Sequence, residues 1–173
     1  DPLLLKRMNR RGDIGQVRAF LLKARAMGFT LRTTFIVGFP GETEEQFQRL
    51  MDFAREIEFD RMGAFTYSPE EDTPAALMPD QVEESVKERR LDELMTLQQN
   101  LSLHRNQLRV GQTVRALVES VREDQVAVAR TASEAPDSDG LLYLTNGAGV
   151  KPGDFVTAHI TDADIYDLSG VIV

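Results

Sequence analysis

The chain contains no cysteine. That excludes disulfides, thiolate zinc sites and iron–sulfur ligation by its own side chains. Histidine is almost as scarce: His104 and His159 stand alone, and a histidine-based metal site has nothing to assemble from. No apolar run approaches the roughly 18 residues of a membrane-spanning helix. The first residues, Asp1-Pro2-Leu3, include no initiator methionine, signal peptide or transit peptide. Such an opening reads as that of a fragment, with the cytoplasm as default compartment and no membrane partner. Positive charge is short in the last third. Residues 108–173 carry five basic against ten acidic side chains, net −5. Residues 1–79 carry 11 against 12, and residues 80–107 carry four against six. Nucleic acid attracts basic surfaces through counterion release, so the acidic end is poorly suited to it and better suited to a basic protein.

What is present divides by periodicity. The length of 173 residues allows one domain or two small ones. Pro2 to Met8 reads as the tail of a helix. Asp13 is the expected N-cap of the next one, with Gln16 as capping-box partner. Val17, Phe20, Leu21, Ala24 and Met27 form its expected buried face, and Gly28 ends it. Leu31 to Gly38 is β-rich. Thr43 caps a further helix, with Gln46 completing a second box and Glu44 and Glu45 favoured in the first turn by the helix dipole. Phe47, Leu50, Met51, Ala54 and Ile57 are its core stripe. Met62 to Ser68 is a second strand, so the order is βαβ and a right-handed crossover is expected. After an acidic loop from Pro69 to Pro79, Asp80 is expected to cap a long helix reaching Arg109. Its stripe is Val82, Val86, Leu94, Leu97, Leu101 and Leu108. Beyond Gly111 the pattern alternates. Residues 113–121, 125–129, 140–145, 155–160 and 170–173 read as five short strands of a closed or nearly closed, OB-like barrel. No internal repeat or low-complexity tract interrupts the chain.

Gly38-Phe39-Pro40-Gly41-Glu42-Thr43 is the most informative stretch. Glycine and proline make a turn and threonine starts a helix, which explains it structurally. The turn also lies at the carboxyl end of a parallel strand, where α/β barrels keep their active sites and where glycine lets backbone approach a ligand. It has neither a Walker lysine nor a dinucleotide fingerprint. Glu70 and Glu71 beside Tyr67 could serve acid–base chemistry but read more simply as a solvated acidic loop. Arg32 either pairs inside a barrel or sits on its rim. His104 and His159 read as structural or exposed. Tyr143, Phe155 and Tyr166 are too few, in too acidic a setting, for a single-strand nucleic-acid groove.

Several stretches together resemble the C-terminal part of the radical-SAM methylthiotransferases. They are LKRMNR at 5–10, LRTTFIVGFPGETEEQF at 31–47, GAFTYSPEEDTPAA at 63–76, the helix at 89–99 and VGQTVRALVE at 110–119. APDSDGLLYL at 135–144 and KPGDFVTAHITDADIYDLSG at 151–170 resemble a TRAM domain. One departure is Asp72, where the family pattern has glycine; aspartate tolerates positive φ better than most residues. The resemblance implies an α/β partial (βα) barrel at 1–79, a long connecting helix at 80–107 packing on that barrel and a small all-β TRAM barrel at 108–173. It implies a parent enzyme with S-adenosylmethionine and two four-iron four-sulfur clusters, the clusters held by cysteines outside this sequence. One branch of the family methylthiolates an aspartate of a ribosomal small-subunit protein, with TRAM binding that substrate; the other methylthiolates adenosine in tRNA. The wording GAFTYSPEE and the acidic terminal module resemble the first branch, making a basic ribosomal protein the expected partner and tRNA the alternative. The resemblance further implies reductive cleavage of S-adenosylmethionine at one cluster, hydrogen abstraction from the aspartate β-carbon and sulfur from the other cluster. Thr34, Ile36 and Gly38 would contact the cofactor, with Phe65 and Tyr67 from the neighbouring strand. No catalytic or metal-ligating residue is expected in this chain, which alone would be inactive. A stand-alone binding module without catalysis is the reading from a different class.

Overall fold

The computed structural model describes residues 1–173, which fall into two compact units, Asp1–Leu101 and Ser102–Val173. The first unit begins with α1 (Pro2–Arg7), where the Asp1 carboxylate accepts the Leu3 and Leu4 N–H groups. In α2 (Ile14–Ala26) Asp13 caps as expected through Gly15 and Gln16 N–H. The Gln16 amide reaches the Asp13 side chain at 3.5 Å and not its backbone, so the reciprocal half of the box is missing.

The expected buried face of α2 is corrected. Phe20 and Met27 are two-thirds exposed and Val17 is exposed as well; only Leu21, Leu22 and Ala24 pack against the core. A helix pattern gives the direction of an apolar face but not what covers it.

Two parallel strands follow, β1 (Arg32–Val37) and β2 (Arg61–Thr66), in register from Arg32 opposite Arg61 to Val37 opposite Thr66. Between them runs α3 (Glu44–Ile57), which carries the complete Thr43–Gln46 capping box. Phe47, Met51, Ala54 and Ile57 are buried against Val37, Phe59 and Met62. The return to β2 is fixed by Asp60, whose carboxylate accepts the Leu31 N–H at 2.7 Å and the Arg25 guanidinium at 2.6 Å.

The long helix α4 (Glu84–Gln107) starts later than expected. Asp80 is not its cap: its φ is +58°, and Val86 and Lys87 make the first intrahelical bonds to the Glu83 carbonyl. Its buried stripe also differs from the apolar one read in the sequence. The positions out of water are Lys87, Arg90, Leu94, Gln98, Ser102 and Asn106, at spacings of three and four, and only Leu94 is apolar. Each of the others has at least one polar partner, as burial of such groups requires, although Arg90 Nε and Gln98 Oε1 are buried without one.

The second unit is a closed barrel of β3 (Thr113–Val121), β4 (Ala127–Arg130), β5 (Leu142–Thr145), β6 (Phe155–Ala163) and β7 (Leu168–Ile172), ordered β3-β4-β5-β7-β6. All pairs are antiparallel except β5 with β7. Alternation sends Ala116, Val118, Ala127, Ala129, Leu142, Leu144, Ala158, Ile160 and Leu168 inward, alanines beside larger residues, as a small barrel's taper demands. The strand β6 runs past the expected end at Ile160 because a register shift between Ile160 and Asp162 lets pairing with β7 resume. The Ser102 hydroxyl and Asn106 amide donate to the carbonyls of Ile165 and Asp164, anchoring the β6–β7 turn within this unit.

Candidate functional site

Strand alternation sorts the side chains of β1. Thr33, Phe35 and Val37 turn toward the α3 core, while Arg32, Thr34 and Ile36 lie on the exposed side. Register places Thr34 beside Gly63 and Ile36 beside Phe65. The exposed side of the two strands therefore carries Thr34, Ile36, Gly63 and Phe65, with Phe65 two-thirds exposed. A hydroxyl, an aliphatic and an aromatic side chain surround a glycine at which an added Cβ would have only the Thr34 hydroxyl within 4 Å. Thr34 and Ile36 also line a cleft of about 520 Å³ beside β1, whose other walls include Met8, Leu21 and Phe53. Arg32 lines the same cleft.

Gly38 and Tyr67 are placed differently. Gly38 is buried at φ +74°, and its N–H donates to the Glu42 carboxylate at 2.6 Å. An added Cβ would stand 2.4 Å from Lys87 Cγ, so the site tolerates only glycine on grounds of both space and dihedral. Tyr67 continues β2, its N–H donating to the Val37 carbonyl at 2.8 Å. Its ring meets Phe39 edge-on at 5.2 Å. Its hydroxyl is buried without a hydrogen-bond partner.

The turn between β1 and α3 is held from several sides. Arg90 donates to the Glu42 carboxylate at 2.8 Å and to its carbonyl at 3.2 Å. Both side chains are almost wholly buried, at 4% and 1% exposure. Burial pushes the Glu42 carboxyl up, opposed by the Gly38 N–H and the Arg90 guanidinium. Lys87 donates to the Tyr67 carbonyl at 3.0 Å and to Glu84 at 3.1 Å. Gly41 donates to the Asp80 carbonyl at 2.8 Å, and the Arg7 guanidinium fills the space a side chain at Gly41 would need. On the surface beside this turn, Arg89 and Gln48 bring the Glu44 carboxyl down to about 2. The sequence reading missed Glu42, Lys87 and Arg90. For Lys87 and Arg90 the signal was the three- and four-residue spacing of Lys87, Arg90, Leu94 and Gln98, which follows the helix better than the apolar positions do; Glu42 has no such signal.

Glu70, Glu71 and Asp72 are exposed, as read from the sequence. Asp72 takes the left-handed conformation that its place in the loop requires, φ +61°. His104 is exposed, and His159 is half-buried with Nδ1 3.4 Å from the Thr113 hydroxyl.

In the barrel, basic charge is largely engaged locally. Arg109 pairs with Glu134, Arg122 with Asp124 and Arg130 with Glu119. Arg115 lies over the exposed Phe155 ring at 4.1 Å. Asp167 accepts the Leu141 N–H at 2.8 Å, and Gly140 lies against the Tyr166 carbonyl, which holds the start of β5 against the β6–β7 turn. Burial alone pushes the Glu134 carboxyl up, but Arg109 and two bonds from Thr131 together hold it below the usual value.

Comparison with known proteins agrees with both units. Residues 1–54 match the model of the radical SAM superfamily, and residues 110–173 match that of the TRAM domain. The chain is 46% identical over 172 residues to the ribosomal protein uS12 methylthiotransferase RimO of Desulfitobacterium hafniense, covering 98% of this chain and 39% of that protein. Against the protein of the same name from Escherichia fergusonii it is 46% identical over 171 residues, 98% of this chain and 38% of the other. The chain thus spans about two fifths of the length of the curated relatives it matches.

Proposed function

We propose, from a chain that is RimO-like through its radical SAM and TRAM segments, that it serves a methylthiotransferase acting on an aspartate of ribosomal protein uS12. The observation that carries this reading is 46% identity extending over 98% of the chain, through both units, to proteins of that name. Residues 1–79 would supply wall of the S-adenosylmethionine site, residues 80–107 the link, and residues 108–173 the surface for the protein substrate, in the cytoplasm.

The exposed face of β1 and β2 fits an adenosyl group. Ile36 and Phe65 offer apolar surface, Gly63 leaves room for a flat ring, and Thr34 supplies a hydroxyl that can donate or accept. The buried, unpartnered Tyr67 hydroxyl is a polar group in want of a partner beside that face. When bound, S-adenosylmethionine and its reducing cluster supply the radical chemistry. The residues of this chain bind, orient and keep water from the ligand. The iron–sulfur clusters do not fit these residues, because no cysteine exists to ligate them. We accordingly propose that the 173-residue chain alone does not cleave S-adenosylmethionine even when iron and sulfide are supplied.

The acidic excess of residues 108–173 suits a basic ribosomal protein. A second reading, methylthiolation of tRNA adenosine, draws on the Arg115–Phe155 stack, since an exposed aromatic beside a guanidinium can stack on a base. The deciding experiment presents the cluster-loaded full-length protein carrying this chain with uS12 and with a tRNA anticodon stem-loop. Methylthiolation of uS12 alone, located by mass spectrometry on one aspartate, is the expected outcome; modification of the RNA would replace it with the second reading.

A further inference from the structure

On α4, Lys87 and Arg90 are charged, buried and directed at the carboxyl ends of both parallel strands. Arg90 reaches the end of β1 through Glu42, whose carboxylate in turn takes the Gly38 N–H. Lys87 reaches the end of β2 by donating to the Tyr67 carbonyl, while its methylene stem presses on Gly38. One helix therefore grips both strand ends with residues three positions apart. Ile36 stands two residues before Gly38, and Phe65 two residues before Tyr67. A strand end cannot shift without moving the exposed side chain just before it, since strand backbone transmits displacement along its length.

Other surface charges on the helix do not share this role. Arg89 pairs with Glu44 and Glu93 and is half exposed. Lys87 and Arg90 have side chains 6% and 4% exposed. Packing alone would be met more cheaply by apolar residues at both positions, because desolvating two cations is costly unless each finds dedicated acceptors. Their buried acceptors are at the two turns, the Glu42 carboxylate and carbonyl and the Tyr67 carbonyl; the more exposed Glu84 and Glu44 carboxylates add a second bond to Lys87 and Arg90 respectively.

We propose that Lys87 and Arg90 are positioning residues that set the spacing of Ile36 and Phe65 for an adenosyl ligand. This rests on the reading of the β1–β2 face given above. Arginine is suited to its place because its planar fork turns Nη1 to the Glu42 carboxylate and carbonyl and Nη2 to the Glu44 carboxylate, a spread that a lysine ammonium covers less well. Lysine is suited to its place because a flexible stem can cover Gly38 and still deliver a donor to Tyr67.

The test uses the cluster-loaded full-length protein carrying this chain and three single variants, Lys87→Met, Arg90→Lys and Arg89→Ala. S-adenosylmethionine affinity is measured by equilibrium dialysis. Hydrogen exchange of the Gly38 and Tyr67 amides is measured without ligand. Loss of a charge-assisted bond that holds the site predicts affinity weakened about tenfold in Lys87→Met, less in Arg90→Lys, and unchanged in Arg89→Ala. Exchange at Gly38 and Tyr67 should accelerate in the first two variants only. Unchanged affinity and local exchange in Lys87→Met and Arg90→Lys, with or without a lower melting temperature, would overturn the proposal. If Ile36→Ala and Phe65→Ala leave ligand affinity untouched, the adenosyl reading of the face fails; the exchange measurement still decides whether the two cations hold the strand ends.

Discussion

At the residue scale, glycine positions in one turn are not equivalent. Gly38 and Gly41 both have positive φ, +74° and +77°. At Gly38 a side chain would collide with the packed stem of Lys87, whereas at Gly41 it would meet the far end of the Arg7 side chain, which can swing away. Gly38→Ala should therefore destabilise the first unit by roughly 2–3 kcal/mol and Gly41→Ala by about 1 kcal/mol, read from urea unfolding. Glu134 gives a pH signature in the second unit. Its folded pKa lies below the unfolded carboxylate value, so its stabilising contribution is present above that unfolded value and is lost as pH falls through the folded one. Glu134→Gln should lower the melting temperature at neutral pH, and the gap from the parent should narrow as acid is added. A gap that stays constant between pH 7 and pH 3 would sink this account of the Arg109–Glu134 pair.

At the element scale, α3 and α4 show opposite ways of burying a helix. The α3 stripe is apolar and its start is fixed by a complete capping box, so Thr43→Ala should cost about 1 kcal/mol through loss of that cap. The α4 stripe is polar and works by individual bonds. Gln98 is the weakest of them: its amide reaches the Phe59 carbonyl only at 3.5 Å, and its own oxygen is buried without a partner. Gln98→Leu should consequently leave stability within about 1 kcal/mol of the parent or raise it, in contrast to Lys87 and Arg90 on the same face. Equilibrium unfolding of the variant decides this, and a loss well beyond that range would show that Gln98 holds more than the Phe59 carbonyl.

At the scale of the whole molecule, charge is divided unevenly between two separately cored units. The segment 108–173 pairs three of its five basic residues internally and is left with an acidic excess. If this segment receives a basic protein, association should be steered by charge and slow on the order of tenfold or more as salt rises from low to physiological levels. Stopped-flow binding of uS12 to the full-length protein measures it; a salt-independent association rate would point instead to apolar docking.

The sequence alone determined most of the architecture. Alternation after Gly111 placed five barrel strands, because inward residues must be apolar at period two whatever else the barrel does. The Thr43–Gln46 box and the α3 stripe were equally legible, since both depend on neighbours a few residues apart. The turn after β1 was legible for the same reason, its glycines and proline marking it locally. Asp80 was misread as a cap because a capping residue and a left-handed loop residue favour the same amino acid. Tertiary structure alone decided which face of β1 is exposed, that Val17, Phe20 and Met27 stand in water, and that Lys87 and Arg90 are buried. Sequence periodicity records which side chains share a face. What a face meets, and whether a buried charge finds an acceptor there, is settled only when residues distant in the chain, such as Glu42 and Arg90, are brought within bonding distance.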